Sequence, residues 1–348
     1  MKTKTILFTS VHPASYIDRW ITELKSNFKI ITLYSRKRDM YKKYDGNNSN
    51  CICINELSLL ELIRLILRSE LVFVGGWAFS GCLRIIFLTK ILNRPCSVFS
   101  DYPILKSKKK GLKYLFKKLV IFNIVDFIYC ATYSTSDYFA NTYNLSKSKL
   151  KVLPYYCNSN ISSFESEDIN KSILNIFIAN NFIQRKGYDI LLKSFQELEL
   201  GGYLNRYSVT IAGQGELFDY YLNKFNELSP KIKFIGWIDN EQYNNYMSAC
   251  DIFIHASHFE PFGIPPLDAM KKKKVVIAST GVKSAEEIII HGKDGFLFNP
   301  NYPSELTSIL KSLSIDSIQD IGINAESTVT KFYNNNSITS VINSSIND

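Results

Sequence analysis

A short segment in the second half of the chain places two carboxylates around a predicted helix start. Glu260 lies in the loop after a buried apolar run, and Asp268 lies eight residues later in the first turn of a helix. Pro265 and Pro266 suit the first positions of that helix, because the N–H that proline lacks has no partner there. Helix N-termini bind phosphate, and carboxylates accept hydrogen bonds from sugar hydroxyls. The segment indicates a site for phosphate and sugar hydroxyls; the alternatives are a solvated loop acid and an acid that offsets the helix dipole.

Short apolar runs alternate along the chain with longer segments in which apolar residues recur at helical spacing. This alternation predicts parallel βαβ units, and these units would position the two carboxylates. The alternation pauses at 154–171, where Asn, Ser and acidic residues give the composition of a linker. We therefore predict an α/β protein with two doubly wound, Rossmann-like domains, 1–155 and 172–330, facing across a cleft and joined by a linker at 156–171. In such sheets ligands bind beyond the carboxyl ends of the strands. Residues 331–348 suit either a terminal helix or a frayed end.

Composition narrows the class of protein. The chain has 348 residues, of which 46% are hydrophobic and 21% charged, which excludes a disordered chain. No apolar run reaches the roughly 18–20 residues that a membrane span needs, and the N-terminus is interpreted as a first buried strand rather than a signal peptide. The seven cysteines are scattered without a C-x-x-C pair, so neither a zinc site nor a disulfide framework is indicated. A reducing cytoplasm is the predicted location.

The first segment resembles the signature loop of the family-4 glycosyltransferases of the GT-B fold, which read Glu-x-Phe-Gly followed by a second acid at this spacing. The resemblance implies that Glu260 contacts the hydroxyls of the donor sugar and that the second acid, Asp268, binds the ribose. It also implies that backbone groups of Phe262, Gly263 and Ile264 hold the sugar and the phosphate. This chain has Asp where the family usually has Glu.

A second stretch, 180–187, resembles the family's Arg-x-x-x-x-Lys-Gly element, whose two cations clamp the diphosphate. Lys186 falls on the family lysine, while Asn181 stands at the position of the family arginine and Arg185 is a neighbouring cation. A preorganised cation stabilises the charge that a departing diphosphate gains. The resemblance therefore implies a catalytic role for Lys186; a surface Lys-Arg pair in a loop is the alternative.

Two further loops resemble elements of the family and follow one another in the family's order. The loop that contains Gly213 and Gly215 resembles the family's loop near the nucleotide, and the alternative is a tight βα turn. The segment with Gly236 and Trp237 resembles the strand end whose backbone recognises the base of the nucleotide. Trp237 is predicted either to stack on the base or to pack within the protein.

The first half carries the candidates for the acceptor side. Asp101 follows the strand predicted at 96–100, where relatives place a side chain near the reacting carbon, so the resemblance implies a catalytic role. Trp77 follows Gly75-Gly76 and belongs either to an acceptor-facing loop or to a tight turn with a packed tryptophan.

Positive charge is clustered between Lys106 and Lys118 beside an apolar stripe. The cations predicted to contact the acceptor or the membrane are Lys109, Lys110, Lys113 and Lys117. A basic amphipathic helix binds an anionic bilayer surface, and the alternative is a solvated face whose apolar side packs on its own sheet. The resemblance favours the membrane, with the protein peripheral on its inner face. No nucleic-acid-binding module is recognisable.

The resemblance implies a retaining hexosyltransferase that uses a nucleotide diphosphate sugar as its donor substrate, without a cofactor or a metal. The acceptor is predicted to be a saccharide or lipid-linked saccharide of cell-surface polysaccharide synthesis. Two alternatives stay open. One is a nucleotide-sugar epimerase of the same architecture; the other is a non-catalytic GT-B-like binding subunit, which Asn181 and Asp268 favour as departures from the family pattern.

Overall fold

The structure of the protein is a computed structural model, which describes residues 3–12, 14–35, 52–77, 80–103, 120–157 and 172–347. The chain divides into two compact units. The first contains Met1–Tyr156 together with Asn335–Asp348, and the second contains Cys157–Asn334. Each unit is built around a parallel sheet with helices, which confirms the predicted α/β class.

The first unit carries a seven-stranded parallel sheet. Its strands are β1 (Thr5–Ser10), β2 (Lys29–Tyr34), β3 (Ile52–Cys53), β4 (Leu71–Gly75), β5 (Cys96–Ser100), β6 (Phe127–Cys130) and β7 (Leu150–Val152). Their order across the sheet is β3-β2-β1-β4-β5-β6-β7. The helices between them are α1 (Ser15–Leu24), α2 (Leu59–Leu67), α3 (Ser80–Ile91) and α4 (Tyr133–Tyr143).

The second unit carries a six-stranded parallel sheet. Its strands are β8 (Leu174–Ala179), β9 (Tyr207–Ala212), β10 (Ile232–Gly236), β11 (Ile252–His255), β12 (Val275–Ser279) and β13 (Phe296–Phe298). Its helices are α5 (Tyr188–Leu200), α6 (Phe218–Leu228), α7 (Asn240–Ala249), α8 (Ile264–Lys271), α9 (Lys283–Ile288), α10 (Pro303–Ser312) and α11 (Ile315–Asn335).

The chain ends with α12 (Ile338–Asn347), which belongs to the first unit. The residues predicted as a tail, 331–348, thus contain the end of α11 and the whole of α12. Most of the predicted linker, from residue 158 to 171, lies outside the described residues. Across the described parts of the chain, no helix combines the length and the apolar character that crossing a membrane requires.

The burial of the strands in the second unit agrees with their continuous apolar sequences. Every residue of β11 and of β12 is buried, as expected for a parallel sheet whose two faces are covered by helices. One core cluster of the second unit contains alternate residues of its strands, which share one face of the sheet, together with Phe182, Tyr188 and Phe195. Phe182 and Tyr188 stack with ring centroids 3.9 Å apart, which fixes the loop after β8 against the start of α5.

The strand order of the second sheet determines where a ligand can bind. Its order is β10-β9-β8-β11-β12-β13, so the direction of the connections reverses between β8 and β11. Loops at the carboxyl ends of the two strands diverge at such a switch point, and ligands of open α/β sheets bind there. The loop after β8 carries Lys186 and the loop after β11 carries Glu260.

Candidate active site

Hydrogen bonds on both sides fix the loop that follows β11. The backbone N–H of His258 donates to the carbonyl of Arg185 at 2.9 Å, and the N–H of Glu260 donates to the carbonyl of Gly281 at 2.8 Å. The carbonyl of Glu260 in turn accepts from the N–H of Lys283 at 3.2 Å. The backbone of Glu260 is therefore held between the loop after β8 and the turn after β12.

The carboxylate of Glu260 contacts two cations. Lys186 and Arg185 lie on a short 3-10 turn that ends at Gly187. Lys186 Nζ donates to Glu260 Oε2, and Arg185 Nη1 donates to the same oxygen at 2.7 Å. The side chains of Lys186 and Glu260 are only 10% and 15% exposed, whereas that of Arg185 is 40% exposed. The structure thus brings together three residues that sequence motifs placed on separate loops.

Burial and charge act in opposite directions on this cluster. Burial alone would raise the pKa of Glu260, but the neighbouring charges of Lys186 and Arg185 outweigh it, so the pKa lies below its usual value. Burial lowers the pKa of Lys186, and attraction to Glu260 offsets only part of that decrease. A carboxyl with a lowered pKa is ionised at neutral pH. The site therefore holds an anion that is bound to cations.

His255 ends β11 beneath this cluster and was not predicted as a site residue. It is 1% exposed, and burial lowers the pKa of its imidazole to about 3, so the ring is neutral at neutral pH. Its Nδ1 lies 3.4 Å from Nδ2 of Asn180, while its Nε2 has no hydrogen-bond partner among the described residues. The available signal was a polar residue at the carboxyl end of an otherwise apolar strand.

A second histidine, His258, links the two loops through its side chain. His258 Nε2 lies 2.9 and 3.0 Å from the two carboxylate oxygens of Asp189, which is in the first turn of α5. The pair ties the loop of Glu260 to the helix that follows Lys186. Within the described ranges, no group of three or more His, Cys, Asp or Glu side chains is placed to hold a metal ion.

Gly213 and Gly215 let the turn after β9 pack against the loop after β8. Their φ angles are 142° and 155°. A Cβ on Gly213 would lie 1.8 Å from the carbonyl oxygen of Asn180, and one on Gly215 would lie 2.6 Å from that of Phe182. The two glycines therefore position the backbone from which the turn of Lys186 starts.

We expect Gly213→Ala to lower the free energy of unfolding by roughly 2–4 kcal/mol, because backbone strain and the clash with Asn180 add. Gly202→Ala is the matched control, since Gly202 also has a positive φ of 73° but a Cβ there meets nothing within 4 Å. Its expected cost is about 1 kcal/mol. Urea denaturation of both variants measures the difference, and equal losses would contradict the packing role of Gly213.

The first turn of α8 carries fewer amides than an ordinary helix start. Gly263 precedes the helix with a φ of 95°, and Pro265 and Pro266 follow Ile264. Because proline has no N–H, Gly263 and Ile264 supply the amides of this turn. Phe262 is buried, and its carbonyl accepts from a backbone N–H at 3.0 Å. An anion at this helix start would therefore contact one or two amides and the positive end of the helix dipole.

Asp268 is buried in the second turn of α8, not in its first turn as predicted, because the helix already begins at Ile264, and it contacts α7. It is 5% exposed, and its Oδ2 accepts from the hydroxyl of Tyr243 at 3.2 Å. Burial lowers the pKa of Lys272, the residue that follows α8, and the charge of Asp268 partly offsets that decrease. The structure thus places the second acid of the motif in a hydrogen bond with Tyr243.

The remaining donor-side candidates lie on turns at the carboxyl ends of strands. Gly236 ends β10 with a φ of 70°, and Trp237 after it is 47% exposed. Asn181 is exposed on the loop after β8, where its carbonyl accepts from the N–H of Ile183 at 3.0 Å. Trp237 is therefore a partly exposed aromatic residue at the same edge of the sheet.

The first-unit candidates have different surroundings. Asp101 follows β5, and its Oδ2 accepts from the hydroxyl of Tyr155 at 3.1 Å; burial raises the pKa of Tyr155 well above its usual value. Trp77 is only 8% exposed and packs edge-on against Phe122 in the core, which matches the packed alternative. The cations proposed to contact acceptor or membrane, Lys109, Lys110, Lys113 and Lys117, lie outside the described residues.

The two parallel α/β units and the switch-point site define a GT-B protein. Residues 160–328 match the family described as "Glycosyl transferases group 1", and this segment lies in the second unit. Over these residues the chain is similar to the group 1 glycosyl transferases, in agreement with the resemblance to the family-4 enzymes.

Known proteins resemble parts or all of the chain. An uncharacterised 41.2 kDa protein in the cps region of Klebsiella pneumoniae is 27% identical over 49% of this chain and 47% of its own length. The O-antigen chain mannosyltransferase B of Escherichia coli is 29% identical over 39% of this chain and 36% of its own length. The chain thus spans about half or less of these curated relatives. The crystal structure of Anabaena HepE with UDP and glucose shares the fold, with a TM-score of 0.73, 17% identity and coverage of 98% and 100% of the two chains.

Proposed function

We propose that this protein transfers a hexose from a nucleotide diphosphate sugar to a hydroxyl of an acceptor, with retention at the anomeric carbon. The observation that carries the proposal is the contact of Glu260 with Lys186 and Arg185 at the switch point of the second sheet. The complex of HepE with UDP and glucose supports this class of donor, and the resemblance to family-4 enzymes supports retention.

The proposed chemistry needs only groups of the chain and the two substrates. Lys186 and the start of α8 stabilise the diphosphate as the bond between it and the anomeric carbon breaks. The acceptor oxygen forms its bond to that carbon on the same face, and its proton passes to an oxygen of the departing phosphate. Glu260 orients the sugar through its hydroxyls, and Asp268 binds the ribose. In this proposal neither a metal nor a cofactor takes part, and Asp101 acts near the reacting carbon.

The acceptor is proposed to be a saccharide or lipid-linked saccharide of cell-surface polysaccharide synthesis, bound by the first unit. The relatives support this assignment, since one is named for a cps region and another for the O-antigen chain. The place of action is proposed to be the cytoplasmic face of the membrane, where nucleotide sugars and lipid-linked acceptors meet.

The outer faces of α2 and α3 support a membrane-bound acceptor. Leu60 is 66% exposed on α2, and Phe87 and Ile91 are 45% and 78% exposed on α3. Arg64 and Arg84 are exposed on the same two helices. Exposed apolar side chains interspersed with arginines suit the interface of an anionic bilayer, where each cation contributes about 1 kcal/mol.

Purified protein with a panel of nucleotide sugars and saccharide acceptors tests the proposal. The expected result is nucleotide release that depends on the acceptor, with a product that keeps the anomeric configuration of the donor. A sugar changed without nucleotide release would indicate the epimerase. Binding without any turnover would indicate the non-catalytic subunit, which the departures at Asn181 and Asp268 would then explain. A thermal-shift screen of UDP, GDP, ADP and CMP identifies the base first.

We expect Trp237→Ala to weaken nucleotide diphosphate binding by about tenfold or more, because base stacking on an aromatic side chain contributes about 1–3 kcal/mol. Binding of inorganic pyrophosphate, which has no base, should stay unchanged. Calorimetric titration of both ligands separates the two effects. Tyr302→Ala is the control, since Tyr302 is also a strongly exposed aromatic residue of the second unit. Equal weakening for both ligands would contradict stacking by Trp237.

A further inference from the structure

We propose that Glu260 is an internal placeholder anion: without donor, its carboxylate occupies the position on Lys186 and Arg185 that the donor diphosphate takes. The inference rests on the proposed function and adds a regulation of the same site. Binding of the diphosphate then exchanges one anion for another, and release of the nucleotide product is assisted by the return of Glu260.

The geometry of the contact is that of an anion clamp. A single oxygen, Oε2 of Glu260, accepts from both Lys186 Nζ and Arg185 Nη1. Arg185 Nη1 also donates to the carbonyl of Phe259 at 3.2 Å, so the guanidinium is held beside the loop that carries Glu260. Two cations converging on one oxygen are the arrangement by which proteins bind a phosphate oxygen.

Burial makes an anion at this position necessary. The side chain of Lys186 is 10% exposed and lies beside a second cation. A cation removed from water is costly unless it is paired, and a neighbouring like charge adds to that cost. The other nearby carboxylate, Asp189, contacts His258 instead, and the buried His255 is neutral. Among the residues that the structure describes, Glu260 is therefore the acidic group paired with both cations.

The exchange links diphosphate binding to recognition of the sugar. A carboxylate oxygen that already accepts from two cations is a weak acceptor for a further hydroxyl, because its charge is compensated. When phosphate oxygens take over Lys186 and Arg185, the carboxylate of Glu260 becomes available for the sugar hydroxyls. Glu260 is thus a stronger acceptor for the sugar once the diphosphate is in place, and it competes with the free nucleotide after transfer.

The test is calorimetric titration of inorganic pyrophosphate into the full chain and into Glu260→Gln, which keeps the size of the side chain but removes its charge. We expect the variant to bind pyrophosphate at least about tenfold more tightly, the effect of one like charge within a few ångströms. Glu260→Ala is a second variant with the same expectation, and thermal unfolding establishes that both are folded.

Glu326→Gln is the matched control. Glu326 also pairs with a lysine of the second unit, Lys271, at 3.3 Å and is partly buried, so its substitution removes the same charge away from the site. Its pyrophosphate affinity is expected to equal that of the unchanged protein. If folded Glu260→Gln and Glu260→Ala bind pyrophosphate no more tightly than the unchanged protein, the placeholder role is wrong while the proposed function stands. If none of these proteins binds pyrophosphate or any nucleotide diphosphate, both proposals fail.

Discussion

Replacing Glu260 with alanine is expected to reduce sugar transfer by roughly a hundred- to a thousandfold while the protein stays folded. The carboxylate is the only acidic group that reaches both Lys186 and Arg185 among the described residues, and in the proposed reaction it orients the sugar hydroxyls. Acceptor-dependent nucleotide release, measured as kcat beside thermal unfolding, gives both quantities. Because the placeholder anion is removed as well, the affinity for nucleotide diphosphate should rise as kcat falls.

Glu227→Ala is the control for this substitution. Glu227 pairs with Lys224 at 3.2 Å on the exposed side of α6, with 67% of its side chain exposed. Its loss should leave kcat and nucleotide affinity unchanged, since exposed ion pairs contribute little. Full activity of folded Glu260→Ala would remove Glu260 from the site and with it the motif on which the account depends.

Replacing Lys186 with glutamine is expected to lower kcat by roughly a hundred- to a thousandfold and, unlike the loss of Glu260, to weaken nucleotide diphosphate binding as well. The ammonium is buried and fixed before substrate binds, so it stabilises the departing diphosphate without reorganisation. Titration calorimetry and steady-state kinetics on the same preparation measure the two effects.

The matched control is Lys224→Gln, an exposed lysine of the same unit that also pairs with a glutamate. It should change neither quantity. Lys186→Arg should restore only part of the rate, because the planar guanidinium does not replace a compact ammonium in a buried position. Wild-type nucleotide affinity in folded Lys186→Gln would contradict a contact between Lys186 and the diphosphate.

The sheets could be predicted because parallel strands buried on both faces leave continuous apolar runs in the sequence. The buried apolar run that precedes Glu260 is β11 (Ile252–His255), and the strand predicted at 96–100 is β5 (Cys96–Ser100). β3 was not predicted, since a strand of two residues, Ile52–Cys53, leaves no run to detect. The helices α10 and α11 were not predicted either, because their serine- and asparagine-rich stretches weaken the apolar periodicity.

The candidate site could be predicted only where its residues lie close together in one sequence motif. The spacing of Glu260, Gly263 and the two prolines showed a loop that ends in a helix start, and the structure has that arrangement. The pairing of His258 with Asp189 joins residues 69 positions apart, which no local pattern encodes. Trp77 illustrates a pattern that left two alternatives open: a tryptophan after a turn suits a binding loop or the core, and in the structure Trp77 is buried in the core.

The central claim is that the loops after β8 and β11 bind the donor, and a crystal structure of the protein with a bound nucleotide diphosphate sugar tests it most directly. The account predicts electron density for the diphosphate against Lys186, Arg185 and the amide of Ile264, with the carboxylate of Glu260 moved from the two cations to the sugar hydroxyls. Density for the ligand bound away from Lys186 and from residues 260–268 would contradict the account.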